Sequence, residues 1–305
     1  MLKWIARGCV FPPAGVQLPS WIGGYAAAPY AVATNGALIR VFFSGRDERN
    51  RGQIGACDLD VESWVVDPVG VTREPLVGVG PLGAFDESGC SMSCIVRQGS
   101  RWFLYYTGWM LGRTVPFYLS VGLAVSEDDG RTFHKYSPAP IMDRCTVDPF
   151  LTASPCVIVD GGIWRMWYVS AMEWETKSDK PRHRYLIKYA ESRDGVQWRR
   201  DGRIAIDFEG DDEYAMGRPH VVKDGEMYRM WYCIRGEQYR IAYAQSSDGL
   251  VWTRCDAANE PPPRQAWDSE MQAYPMVFRH RDRWLMLYNG NRYGATGFGC
   301  AESPS

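Results

Sequence analysis

The chain has no stretch approaching the ~20 consecutive apolar residues of a membrane span, and its first residues, Met1-Leu-Lys-Trp-Ile-Ala-Arg7, lack the apolar core of a secretory signal. Both absences point to a cytoplasmic protein without a membrane partner. Charge of one sign is also lacking: the formal net charge is −2, which leaves no electrostatic footprint for nucleic acid. Only 4 histidines are present, and none forms a His-x-x-x-His or His-Glu-x-x-His pattern. The 9 cysteines are odd in number and scattered; Cys90 and Cys94 have no second pair to complete a metal site. Reduced core thiols, no metal and no cofactor are the expectation.

Aromatic residues, in contrast, are plentiful: 13 Trp and 17 Tyr among 305 residues. Many fall in a recurring strand. Trp102-Phe-Leu-Tyr-Tyr106, Trp164-Arg-Met-Trp-Tyr168, Tyr228-Arg-Met-Trp-Tyr232 and Trp284-Leu-Met-Leu-Tyr288 are clear copies, and Leu38-Ile-Arg-Val-Phe42 is a weaker one. Their last residues lie 64, 62, 64 and 56 positions apart, too far for helical solenoids and near the length of one four-stranded sheet with loops. Around each copy the neighbours repeat as well. A first strand carries a proline (Pro29, Pro155, Pro219, Pro275, with Ser93 in the second copy), and an Asp-Gly turn such as Asp194-Gly195 or Asp248-Gly249 precedes an outer aromatic such as Trp198 or Trp252.

The fifth copy ends after Gly297–Ser303 without an outer strand. Trp4-Ile-Ala-Arg-Gly8 has the Trp and Gly spacing of Trp198 to Gly202 and would supply it, removing a free sheet edge. The expected fold is therefore all-β: a five-bladed β-propeller closed by the N-terminal strand, one domain spanning residues 1–305.

The repeat also separates scaffold from singular residues. Asp86, Asp148, Asp212 and Asp268 each stand seven residues before the first-strand proline or its equivalent, so a turn-forming role is the simpler reading. Residues that occur once are better candidates for a site at the channel mouth. These are Glu87, Glu213, Glu270, Gln272 and Tyr274; Arg218 and His220, two apart and hence expected on one strand face; Arg46, Asp47 and Arg51 in Ser44–Gly52; and Trp174 and His183 near the longest loop. Arginine forks suit carboxylate or phosphate, and aromatic faces suit a pyranose. Arg46, Arg51, Arg184, Arg218, Arg235 and Arg240 would either hold such a ligand or pair with acids across the channel.

The Met-Trp-Tyr strands and the segments Tyr189–Trp198 and Tyr243–Trp252 resemble the five-bladed propeller glycosidases, the invertase, arabinanase and xylosidase clan with its mannoside-phosphorylase relatives. Phe43-Ser-Gly-Arg-Asp47, Val115-Pro-Phe117, Ile187-Lys-Tyr-Ala190 and Leu287-Tyr-Asn-Gly-Asn291 are similar to propeller proteins of bacterial surface-polysaccharide gene clusters. The resemblance implies three catalytic positions: directly before the blade-one and blade-three prolines, and two before the blade-four proline. Ala28, Ser154 and Gly217 occupy them here. Two-carboxylate cleavage thus has no residue-by-residue match.

The expected function is a hydrolase- or phosphorylase-like enzyme with a rearranged site, acting on a sugar, an acidic sugar or a sugar nucleotide. Glu270, Glu213 and Glu87 would be its acids. Arg218 and His220 would hold an anionic group, with Arg46, Asp47, Arg51, Asp148, His183 and Gln272 also binding substrate and Trp174 and Tyr274 stacking on the ring. The alternatives are a carbohydrate-binding propeller without catalysis, and an elimination or isomerisation with His220 as base.

Overall fold

The structure, a computed structural model, describes residues 2–14, 18–33, 38–66, 70–210 and 212–304. Almost every regular element is a strand. The chain opens with β1 (Leu2–Lys3) and β2 (Ile5–Phe11). Four antiparallel groups follow. The first is β3 (Ala27–Ala33), β4 (Leu38–Arg46), β5 (Gly52–Asp60) and β6 (Val65–Val66). The second is β7 (Gly89–Gln98), β8 (Arg101–Leu111), β9 (Phe117–Ser126) and β10 (His134–Lys135). The third is β11 (Thr152–Asp160), β12 (Ile163–Lys177), β13 (Lys180–Ser192) and β14 (Ile204–Ile206). The fourth is β15 (Ala215–Asp224), β16 (Met227–Arg235), β17 (Tyr239–Ser246) and β18 (Thr253–Arg254). After β19 (Asn259–Glu260), which pairs with β1, come β20 (Ala273–His280), β21 (Arg283–Asn289) and β22 (Phe298–Pro304). The fourth strand beside β22 is β2, so residues from the two ends of the sequence share one sheet.

The recurrent aromatic strand is the second of each group, and its composition follows from its surroundings. Strands buried on both faces read as continuous apolar runs rather than alternating ones. In β12, Trp164, Met166 and Tyr168 pack toward the second group with Phe103 and Tyr105, whereas Trp167 packs toward the fourth with Tyr228 and Met230. Equivalent clusters join the fourth group to the fifth through Trp231, Trp284 and Trp4, the fifth to the first through Leu287, Phe298 and Phe43, and the first to the second through Phe42 and Tyr106.

The Ser-x-Asp-Gly turns are held locally. Ser192 accepts the Gly195 amide at 2.9 Å while Asp194 accepts those of Val196 and Gln197, both at 2.8 Å. Gly195 has φ +75°, and a Cβ there would come within 2.7 Å of the Trp164 ring, so this turn needs glycine on both counts.

Three of the repeated aspartates close a second device. Asp86, Asp148 and Asp268 each accept a hydrogen bond from the tyrosine that ends the recurrent aromatic motif in their group's second strand: Tyr106 at 2.9 Å, Tyr168 at 3.0 Å and Tyr288 at 3.2 Å. A cation two residues after the outer aromatic joins in two of them, Lys135 on Asp86 at 2.5 Å and Arg200 on Asp148 at 2.9 Å. The fourth group departs from this pattern. Its Tyr232 hydroxyl has no hydrogen-bond partner among the described residues, and the equivalent cation, Arg254, pairs instead with Glu213, one residue beyond Asp212. Among the described residues no helix is long and apolar enough to cross a membrane, and no three His, Cys, Asp or Glu side chains cluster as a metal site would require.

Candidate functional site

One cavity of about 360 Å³ opens where the ends of the second strands and the starts of the third strands converge. The residue preceding the first-strand proline forms part of its wall in four groups: Ala28, Ser154, Arg218 and Tyr274. All four adopt left-handed backbone, with φ +56°, +47°, +53° and +58°. For non-glycine residues this costs about 1–2 kcal/mol each. Each lies within a register shift of its β-ladder, a bulge that turns one side chain out of the alternation.

The bulge corrects one sequence expectation. Arg218 and His220 do not share a face: Arg218 lines the cavity, while His220 bonds the Val277 carbonyl at 2.7 Å, its ring edge-on to Tyr30. Burial pushes His220 down to about 4, with Arg218 lowering it further against the Val277 bond.

Of the residues expected in the site, Arg46, His183, Arg218, Tyr274 and, among the mouth arginines, Arg235 line the cavity; the others do not. Glu270 is exposed, on a segment whose amide bonds Asn291 at 2.8 Å. Glu87 accepts the Gly83 amide at 2.6 Å. Glu213 is buried and held by Arg254 and Arg240 at 2.8 and 2.9 Å. Asp47 takes Arg51 at 2.8 Å, ordering the β4–β5 loop. Asp148 is fully buried among Tyr168, Ser170, Lys188 and Arg200. Gln272 bridges Asp268 and the Pro262 carbonyl, and Trp174 packs on Phe117 and His183.

The Arg254 pair holds the Glu213 carboxyl below its usual range, opposed by burial. A lowered folded value means that this stability is present above the unfolded glutamate value and is lost as pH falls through the folded one. Glu213→Gln is therefore expected to cost stability at pH 7 and to flatten the decline of stability below about pH 4.5, the ordinary glutamate range; urea midpoints between pH 7 and 3 measure this. An unchanged slope would assign acid unfolding to other carboxylates.

Among the described residues no aspartate or glutamate lines the cavity. Its charged side chains are Arg46, Arg218 and Arg235, and among the described residues none of the three has a carboxylate within ion-pair distance. The other three mouth arginines are paired internally: Arg51 with Asp47, Arg184 with Glu173, and Arg240 with Glu213 and Asp256. Arg218 is 6% exposed and donates to the Met92 and Ala28 carbonyls, which leaves part of its five-donor fork free. Burial lowers its pKa, yet an arginine stays charged. Around these cations stand Trp109, Phe117, Tyr185, Tyr239, Tyr274 and Tyr293.

The titratable groups beside them are held neutral. His183 is pushed down to about 4 by burial, with Arg235 and Arg182 adding to the effect, and its ring stacks on Tyr185 at 4.5 Å. Tyr185 and Tyr239 share a 2.9 Å hydrogen bond, and burial raises both. Burial likewise pushes the Cys90 thiol up to about 12. Ala28, Ser154 and Gly217, where the glycosidase resemblance implied catalytic residues, all line this cavity. Tyr239 and Tyr293 were not singled out by the sequence: Tyr239 begins β17 and Tyr293 lies in the turn Asn291–Gly294, places to which the period draws no attention.

No family model matches the chain. Among solved structures it is similar to a glycoside hydrolase (TM-score 0.74, 17% identity, covering 99% of this chain and 93% of that one). It is also similar to a thermostable family-43 glycoside hydrolase (TM-score 0.67, 16% identity, 94% and 91%). These likenesses establish the glycoside-hydrolase β-propeller fold. In sequence it is 43% identical over 304 residues to Uncharacterized protein Rv1502 of Mycobacterium tuberculosis, an alignment covering 98% of this chain and 99% of the relative. With that identity along nearly the whole length, the chain belongs to the same family as Rv1502.

Proposed function

We propose that the chain is a single five-bladed propeller domain closed by its N-terminal strand, and that its cavity binds a sugar carrying an anionic group, free or nucleotide-linked. The pairing of β2 with β22 and the packing of the fifth strand group on the first support the ring. One observation carries the function: three arginines without carboxylate partners among the described residues face a cavity that, among the same residues, has no carboxylate. Arg218 is buried and Arg46 and Arg235 are half-buried; a cation withdrawn from water needs a counter-charge, and here a ligand is an available source. Aromatic walls suit sugar faces, and Ser44, Ser91, Thr107 and Ser154 offer hydroxyls to a polyol. The glycoside hydrolase neighbours support a carbohydrate ligand.

Cleavage by two carboxylates flanking a glycosidic bond finds no such pair in the lining. The reading favoured is recognition without hydrolysis. Calorimetric titration is expected to show glucuronate bound at least about tenfold more tightly than glucose, the increment of one charge-assisted contact. With His183 near 4, Cys90 near 12 and the tyrosines raised, that affinity is expected to stay flat from pH 6 to 9. Equal binding of the acidic and neutral sugars would overturn the reading. Product release from aryl glycosides, lost in Glu270→Gln, would restore the hydrolytic one.

A further inference from the structure

The cavity's unpaired cations form two poles. Arg46 ends β4, its guanidinium 4.8 Å from the Tyr25 ring centre and 5.8 Å from that of Trp109. Arg235 ends β16, set among Tyr214, Tyr239 and Tyr293 at 5.4, 5.1 and 5.8 Å. The two aromatic cages share no residue. Arg218 stands between the poles: its strand β15 pairs with β16, which carries Arg235, but its guanidinium donates to the Ala28 and Met92 carbonyls of the first and second groups. The first strand group thus brings one cation and the fourth brings two.

Aromatic faces compensate part of a desolvated charge, but they leave the in-plane N–H fork open. Arg46 uses one N–H on Asn50 at 2.9 Å, and the Arg235 guanidinium donates no hydrogen bond among the described residues. A planar fork of this kind is satisfied by a bidentate carboxylate or phosphate. A ligand with one anionic group would satisfy one pole and leave the other uncompensated. Resting on the anionic-sugar reading, we propose that the ligand carries two anionic groups on different parts of the sugar, one seated at Arg46 and the other at Arg235, with Arg218 between them. A volume of about 360 Å³ lies at the small end of ligand sites, which fits one substituted ring between the poles.

The test compares three probes by calorimetry on the whole protein: glucuronic acid 1-phosphate, glucose 1-phosphate and glucuronic acid. The double-ended probe is expected to bind about 10- to 100-fold more tightly than either single-ended one. Arg46→Gln is expected to reduce it to the level of a single-ended probe, while leaving the affinity of the probe that uses the other pole unchanged. If the double-ended probe gains nothing over the single-ended ones, or if Arg46→Gln weakens all three equally, the two-pole inference is overturned and the anionic cavity stands. If none of the three binds better than glucose, the underlying reading itself falls. The wild-type comparison decides between these outcomes even if a variant fails to fold.

Discussion

Replacing Asp148 by alanine is expected to destabilise the protein by about 3–5 kcal/mol, the cost of removing one partner from a buried ionic cluster. The Asp148 carboxylate is fully buried and accepts from the Tyr168 and Ser170 hydroxyls at 3.0 and 2.6 Å and from Lys188 and Arg200 at 3.3 and 2.9 Å. Lys188 is itself 2% exposed, so deleting the acid strands a buried ammonium as well as two hydroxyls. The same carboxylate ties the segment before β11 to β12, β13 and the stretch carrying Arg200. Urea denaturation measures the loss directly. A stability change under about 1 kcal/mol, accompanied by weakened ligand binding, would instead return Asp148 to the substrate-contact role expected from the sequence.

Arg218→Met is expected to act in the opposite sense, abolishing anion binding while leaving stability close to that of the wild type. Exchanging a buried charge for an apolar side chain of similar volume is often neutral or stabilising, because the desolvation penalty disappears. Against that gain stand the Met92 and Ala28 carbonyls, each left without the bond it accepts from Arg218, a loss of about 1–3 kcal/mol apiece. These terms offset, so the unfolding free energy is expected to shift by no more than about 2 kcal/mol in either direction. Affinity for an acidic sugar is expected to fall about 100-fold, the scale of a charge-assisted hydrogen-bond pair. Retained binding by a folded Arg218→Met protein would remove this side chain from the site. Asp148 and Arg218 are thus a matched pair: a buried acid whose cations come from the protein, and a buried cation whose acid does not.

Most of the architecture was legible because it repeats. Period, turn chemistry and aromatic strands all derive from one local requirement, a strand packed on both faces, and such a requirement leaves the same residues at the same offsets. The repetition of the aspartates pointed to turn-formers; Asp268 does accept the local Gln265 amide, but Asp86, Asp148 and Asp268 all bond a tyrosine 20 residues on, a contact between strands that the repeat did not specify. Glu213 looked singular only because the fourth group shifts its carboxylate by one residue to meet Arg254. In sequence a shifted scaffold acid and a unique site acid look alike, since both interrupt the repeat.

By itself, the sequence determined the strand order, the recurrence, the outer position of the Trp4–Gly8 segment beside the last strand, and the occupation of the three glycosidase positions by Ala28, Ser154 and Gly217. The tertiary structure alone decided which arginines have partners. Arg51, Arg184 and Arg240 find acids within ion-pair distance, and Arg46, Arg218 and Arg235 do not. The difference depends on ångström distances between segments far apart in the chain. It also depends on bulges that rotate Arg218 toward the cavity and His220 away from it. A period of two cannot foresee an inserted residue, and a coulombic pair is fixed by distance in space rather than along the chain.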